Sequence, residues 1–354
     1  MDKIKIVFLH PCINNANQMA DYLCIDDQKL RERFVWDEND PDYVIATEHI
    51  YTKKKYFNMF KKYYKKSSAV FIFHGGEAIY PDMNIFDYAI VYSEKMTDGD
   101  RIIKMPAEKF FHRNNELGKN KLTEDEAQES LKEKKFCNFI YSNPKAHPFR
   151  DELFYAVSSY KKVDSLGAHL NNTSVRPTRS NEDWYNLSIE QKSGYKFTIA
   201  CENALFEGYT SEKIMGTFKA HSIPIYFGNP YVAENFNPEA FINCHDYNSI
   251  DEVVTRVKEI DEDDKLWIKM VTSPWKTEDQ ENKYVEHIDE YNKFINNIFA
   301  QDKKAALRRP FGTHTNLYYK WFFRKLGSQR TFSELIHAVF SRINNLLKSI
   351  FVYK

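Results

Sequence analysis

Three short segments carry residue types that act on hydroxyls and phosphates. In His74-Gly-Gly-Glu77, two glycines free the backbone for a sharp loop that ends in a carboxylate, the group a general base requires. In Ser142-Asn143-Pro144, prolines at 144 and 148 delay the next helix, and Arg150 falls near its start, where a guanidinium adds to the helix dipole's attraction for anions. In the third, an apolar run over Phe197–Cys201 delivers Glu202 and Asn203, followed by a loop with Gly208. Thr210 or Ser211 then caps a helix with Glu212 and Lys213 in its first turn. A lysine at the positive end of a helix is a local conflict that a phosphate nearby would remove. Taken singly, each segment also has a plain reading: a turn glutamate in solvent, a surface arginine in an ion pair, a lysine reaching water.

Other patterns carry less. Asp98-Gly-Asp100 has the D-x-D form of metal–nucleotide sites, but it is only three residues long. The eleven histidines show no H-x-x-x-H or H-E-x-x-H spacing, so the expectation is no metal site. Neither G-x-x-x-x-G-K-[ST] nor G-x-G-x-x-G occurs, which removes the main support for ATPase and dinucleotide readings.

These segments follow short apolar runs that read as strands. Ile4–Leu9, Tyr43–Thr47, Ala69–Phe73 and Tyr88–Tyr92 come first, then Phe136–Tyr141, Lys162–Asp164, Phe197–Cys201, Ile223–Phe227 and Phe241–Asn243. Helical stretches over Phe149–Tyr160, near Thr210 and over Ile250–Ile260 lie between them. Strands alternating with helices predict parallel α/β sheets, whose ligands bind beyond the carboxyl ends of strands. The polar stretch 116–135 reads as a linker or exposed helix. The expected division is therefore 1–130, 131–302 and a tail at 303–354. A length of 354 residues fits two domains at about 150 each.

Net charge is zero, with 50 basic and 50 acidic residues, which argues against a general nucleic-acid binder. Five cysteines without a C-x-x-C pair argue against a disulfide or zinc framework and for reduced thiols in the cytoplasm. No run approaches the roughly 18–20 apolar residues of a membrane span. The neutral total hides two opposed regions. Residues 303–354 hold eleven of the basic residues and one acid, Glu334, so residues 1–302 carry about ten net negative charges.

Tyr318, Tyr319, Trp321, Phe322 and Phe323 lie among the tail's charges, and Leu335, Ile336, Val339, Phe340, Ile343, Leu346, Leu347, Ile350 and Phe351 follow at helical spacing. A basic amphipathic segment with aromatics predicts association with an anionic membrane surface. The alternative is a helix that packs its stripe on the acidic body. The lysine run from Lys53 to Lys66 reads as a solvated helix face, or as a second contact to anionic lipid or an acidic glycan.

Residues 196–230 resemble a known family. Lys-Phe-Thr-Ile-Ala-Cys-Glu-Asn, Glu-Gly-Tyr-Thr-Ser-Glu-Lys-Ile and Ile-Pro-Ile-Tyr-Phe-Gly-Asn-Pro look like the donor-site signature of the α-1,3/4-fucosyltransferases, glycosyltransferase family ten. Asn-Pro-Glu-Ala-Phe-Ile-Asn extends the match, and Gly-Gly-Glu77 followed by Asn84-Ile-Phe-Asp-Tyr-Ala-Ile90 looks like the acceptor-domain motif. The similarity departs at Ala204, where a serine is common, and at Ser211, where a threonine is. Leu-Gly-Ala-His-Leu-Asn-Asn at 166–172 matches only some bacterial members.

The resemblance implies a GT-B fold, two Rossmann-like domains facing across a cleft, with an N-terminal acceptor domain and a C-terminal GDP-sugar domain. It implies an inverting transfer of fucose from GDP-fucose to a glycan hydroxyl, such as an α-1,3 linkage on a lipopolysaccharide or oligosaccharide, without an obligatory metal. Glu77 would be the general base. Arg150 and Lys213 would meet the diphosphate, Glu212 would hold the ribose, and Ser142, Asn143, Glu202, Asn203 and Tyr209 complete the donor site. With the tail, this places the protein at the cytoplasmic face of a membrane. A different GDP-6-deoxyhexose, or a non-catalytic nucleotide- or glycan-binding module, remain the alternatives.

Overall fold

A computed structural model describes residues 2–66, 68–111, 122–174 and 184–327. The chain forms two compact units. The first comprises residues 1–91, 98–102 and 295 onward, and the second residues 92–97 and 103–294.

The first unit is built on a six-stranded sheet: β1 (Ile4–Leu9), β2 (Phe34–Trp36), β3 (Tyr43–Ala46), β4 (Val70–His74), β5 (Tyr88–Val91) and β6 (Ile102–Lys104), in the order β2-β1-β3-β4-β5-β6. β1 pairs parallel with β2 and β3, β3 with β4, and β4 with β5. β3, β4 and β5 are buried along their whole length, so they read as unbroken apolar runs instead of alternating ones. The helix Lys54–Lys66 covers the sheet with Phe57, Phe60 and Tyr63, and turns Lys54, Lys55, Lys62 and Lys65 to solvent. Its lysine run is thus the outer face of a packed helix.

The second unit holds a five-stranded sheet: β7 (Lys135–Phe139), β8 (Val163–Ser165), β9 (Tyr195–Cys201), β10 (Ile223–Phe227) and β11 (Ile242–Asn243), in the order β11-β10-β9-β7-β8, all parallel. Phe136, Phe139, Phe197, Ile199, Ile223 and Ile225 form its core with Leu153 and Val157 of the helix Phe149–Tyr160. In both sheets the first strand lies between the second and the third, so the chain reverses its direction of crossover there. The two reversals fall between β1 and β3 and between β7 and β9, and such points open crevices at the strands' carboxyl ends.

The expected boundaries need correction. Of its two readings, linker or exposed helix, the polar stretch before β7 is a largely exposed helix where it is described. Thr123 and Glu126 form a reciprocal capping box for the helix Glu124–Leu131, and Ala127 is buried in the core of the second unit. Residues 112–121 lie outside the described residues. The chain crosses between units at 92–103 instead of 130, and the 23-residue helix Glu278–Ala300 carries it back into the first unit from Ile295.

The tail is likewise not one surface-seeking segment. Arg309 is buried and pairs with Asp87, which has no exposed surface and also accepts from the Arg308, Arg309 and Phe71 N–H groups. On the helical residues 313–327, Tyr319 donates to Asn84 O at 2.7 Å, and Phe323 packs on Phe57, Phe60 and Tyr64. The apolar stripe at 335–351 lies outside the described residues.

Candidate functional site

In the second unit, β7 and β9 deliver their following loops to the crevice between them. Tyr141, two residues beyond β7, ties the strands together. Its hydroxyl donates to the Ile199 and Cys201 carbonyls, both at 3.0 Å, and accepts from Cys201 N at 2.6 Å. Gly167 is required here, because a Cβ would stand 2.0 Å from Tyr141 O. His147 N donates to Asn203 O at 2.8 Å, which joins the loop after β7 to the loop after β9.

Arg150, on the first turn of Phe149–Tyr160, is 1% exposed. Its guanidinium lies 4.6 Å over the Tyr141 ring, Nη2 donates to Asn143 O at 2.8 Å, and Nε meets Asp151 Oδ1 at 3.3 Å. Nη1 is buried and has no hydrogen-bond partner among the described residues. A charged donor left this way is costly unless an anion meets it. Ser142 is half-buried and Asn143 exposed on the same loop, with Asn143 Oδ1 turned to Lys145 N.

Beyond β9, Glu202 has no exposed surface. Its Oε1 accepts from Ser211 N at 2.7 Å, and its Oε2 accepts from Ser211 Oγ at 2.6 Å and Lys213 Nζ at 3.0 Å. Burial pushes the Glu202 carboxyl above the usual carboxylate range, against the pull of the Lys213 charge. Gly228 makes room for it, since a Cβ there would stand 2.4 Å from Glu202 Cγ. Ser211 occupies the cap position of the helix Glu212–Lys219, as its sequence predicts, but makes no side-chain capping bond. Its hydroxyl is diverted to Glu202 and Lys213. The conflict of a lysine at a helix start is thus relieved from within the protein, by Glu202. Burial works against ionisation of Glu212, yet Lys213, its own backbone N–H and Lys192 together hold it below the usual range.

Asn203 is half-buried at the head of this loop. Tyr209 is 3% exposed, with its ring edge-on to Tyr92 at 4.7 Å. Asn229, beyond β10, braces the loop: its Oδ1 accepts from Gly208 N at 2.9 Å, and its Nδ2 donates to Thr210 Oγ1 at 3.1 Å. The structure therefore gathers Arg150, Glu202, Ser211 and Lys213 into one unit, on the loops of the two strands that flank the reversal.

Glu77 belongs to the first unit. It is exposed, three residues beyond the end of β4. The loop that carries it is held by Gly75 N donating to Ile90 O at 2.8 Å and by Gly76 N donating to Glu48 Oε2 at 2.9 Å. Sequence reasoning passed over Glu48, although its signal was present: it lies two residues beyond β3, at a strand's carboxyl end. It also passed over Tyr141, whose work is the cross-strand hydrogen bonding that only pairing of β7 with β9 creates.

Comparison with known proteins matches these units. Residues 130–303 match the family described as glycosyltransferase family 10 (fucosyltransferase), C-terminal. The α-(1,3)-fucosyltransferase FucT of Helicobacter pylori is 32% identical over 218 residues, 53% of this chain and 43% of that protein, so the chain matches less than half of its length. A crystal structure of an α1,3-fucosyltransferase with GDP superposes with a TM-score of 0.63 at 22% identity, over 85% of this chain and 91% of that one. One of an α1,3-fucosyltransferase with GDP-fucose gives 0.59 at 22% identity, over 82% and 91%. The expected fold class, GT-B with two parallel α/β units, is the one these structures share with this protein. Residues 130–303 thus carry the C-terminal domain of glycosyltransferase family 10, the fucosyltransferases.

Proposed function

We propose that the chain transfers L-fucose from GDP-fucose to a hydroxyl of a glycan acceptor, with inversion at the anomeric carbon. The observation that carries this reading is the buried Nη1 of Arg150, unmet among the described residues, at the crevice between β7 and β9. The family match and a structural neighbour that binds GDP-fucose support the donor, and a relative named for α-(1,3) transfer supports the linkage.

In this reading the roles divide between the units. Breaking the sugar–phosphate bond leaves its electron pair on GDP. Arg150 and Lys213 stabilise that charge, and a preorganised contact of this kind contributes about 3–4 kcal/mol, or a hundred- to thousand-fold in rate. Glu202 orients Lys213, Glu212 accepts from the ribose hydroxyls, and Ser142, Asn143, Asn203 and Tyr209 line the nucleotide. The acceptor oxygen forms the new bond to the anomeric carbon as its proton passes to Glu77, an assistance of about a hundred- to ten-thousand-fold. One base and no covalent glycosyl-enzyme are needed for inversion. Protein cations meet the leaving charge, so chelation with EDTA should leave the rate within about twofold.

The test is a glycan-acceptor screen with GDP-fucose, with the linkage read by NMR and other GDP-6-deoxyhexoses run beside it. A faster turnover of another GDP-sugar would change the donor. Binding of GDP without transfer or hydrolysis would make the chain a binding module.

We further propose that the C-terminal residues meet the cytoplasmic face of an anionic membrane. The tail's charge and its stripe support this, as does the outer face of residues 313–327, where Leu317 (57% exposed) and Trp321 (55% exposed) lie beside exposed Lys320 and Arg324.

A further inference from the structure

We propose that Glu48 is a positioning residue for the base: its carboxylate fixes the Gly75-Gly76 turn that presents Glu77. The inference rests on the reading of Glu77 as base and assigns that base a partner.

The loops after β1, β3 and β4 meet at the first unit's own reversal of strand order. They bring His10, Thr47, Glu48, His49 and His74 together with Tyr22 of the helix Ala16–Tyr22. This cluster is not a metal centre: among the described residues no three His, Cys, Asp or Glu side chains are arranged to hold an ion. Burial drives His10 down to about 4 and His74 down to about 3, so both are neutral near pH 7 and supply aromatic walls without charge. His49 Nδ1 is 2.7 Å from Thr47 Oγ1 and 3.4 Å from Glu48 Oε1.

Glu48 is thus the carboxylate inside this wall, with 14% of its side chain exposed. Its Oε2 accepts the Gly76 N–H at 2.9 Å. A Cβ on residue 76 would stand 3.0 Å from one Glu48 oxygen and 3.1 Å from the other, so glycine lets the carboxylate close on the backbone. The groups that face it are His49 on its own loop, Glu77 across the turn, and Tyr22 from the helix, with His10 behind His49. Burial, with the Glu77 charge as a smaller contribution, raises the Glu48 carboxyl above the usual range.

E48Q keeps the turn's anchor, because its amide oxygen still accepts from Gly76 N–H, whereas E48A removes it. With GDP-fucose and the acceptor that the glycan screen returns, GDP affinity should stay within about twofold, since the fold persists. The kcat of E48Q should stay within about threefold of the wild type, because the turn keeps its hydrogen bond. E48A, which strands the Gly76 N–H, should lose about a hundredfold in kcat.

A wild-type kcat in E48A, or an E48Q as impaired as E48A, beside an inactive E77Q, would overturn the proposal and leave the base assignment standing. An inactive E48Q beside an active E77Q would overturn both, making Glu48 itself the base.

Discussion

Lys213 Nζ lies 3.0 Å from Glu202 Oε2, and that carboxylate is fully buried while 17% of the lysine side chain is exposed. The buried member of the pair depends on the exposed one. K213A should therefore strand a buried carboxylate and lower the unfolding free energy by about 3 kcal/mol, with E202Q/K213A recovering most of the loss. Urea unfolding of the two single variants and the double variant measures the coupling. Additive losses would mean that the two residues stabilise the fold independently.

The same pair predicts a kinetic effect. E202Q keeps an acceptor for Ser211 but releases Lys213, so turnover of GDP-fucose should fall about tenfold or more as the ammonium loses its orientation. Steady-state kinetics with saturating acceptor checks this. An unchanged kcat would show that Lys213 needs no internal anchor.

Arg150 predicts a conflict between stability and activity. Its Nη1 is buried without a partner among the described residues, so R150M should bind GDP far more weakly yet unfold at the same or higher urea concentration. R150K should recover little, because an ammonium lacks the fork that reaches Asn143 O and presents a second donor; kcat/KM should fall about a hundred- to thousand-fold. Calorimetric titration with GDP, paired with unfolding curves, tests both halves.

Gly208 stands at φ +75°, and a Cβ there would lie 2.2 Å from Tyr92 O. G208A should destabilise the protein by about 2 kcal/mol or more and displace the loop that leads to Tyr209 and Ser211. Thermal unfolding and GDP affinity should fall together. A near-neutral G208A would mean that this loop accommodates the shift.

Two truncations should behave differently. Deleting 328–354 leaves Arg309, Tyr319 and Phe323 in place and should give a folded protein active on a soluble acceptor but weaker in sedimentation with anionic vesicles. Deleting 303–354 removes Arg309 from the fully buried Asp87 and should destabilise the first unit by about 3 kcal/mol or more. Unchanged vesicle binding of the shorter deletion would remove the membrane role from the last 27 residues.

The strands that matter were legible in the residue order, because strands buried on both faces must be continuous apolar runs: Ile4–Leu9 and Ile223–Phe227 were readable to the residue, as was the helix Phe149–Tyr160. β2 and β6 were not, because both are short and only partly buried, so neither stands out as a continuous apolar run. Local chemistry also placed Glu77, Arg150, Glu202 and Lys213 after strands or at helix starts. Only the tertiary structure decided what those groups touch. The fold of the loop after β9 set Glu202 against Lys213, the loop after β7 left one arm of Arg150 unmet among the described residues, and the pairing of β3 with β4 put Glu48 behind the turn that carries Glu77. The fold also returned the tail's first part to Asp87, 222 residues away in the chain. Apolar periodicity is a property of neighbours in sequence. A hydrogen bond between a carboxylate and a cation depends on distance in space, which the crossing of strands creates and no spacing along the chain records.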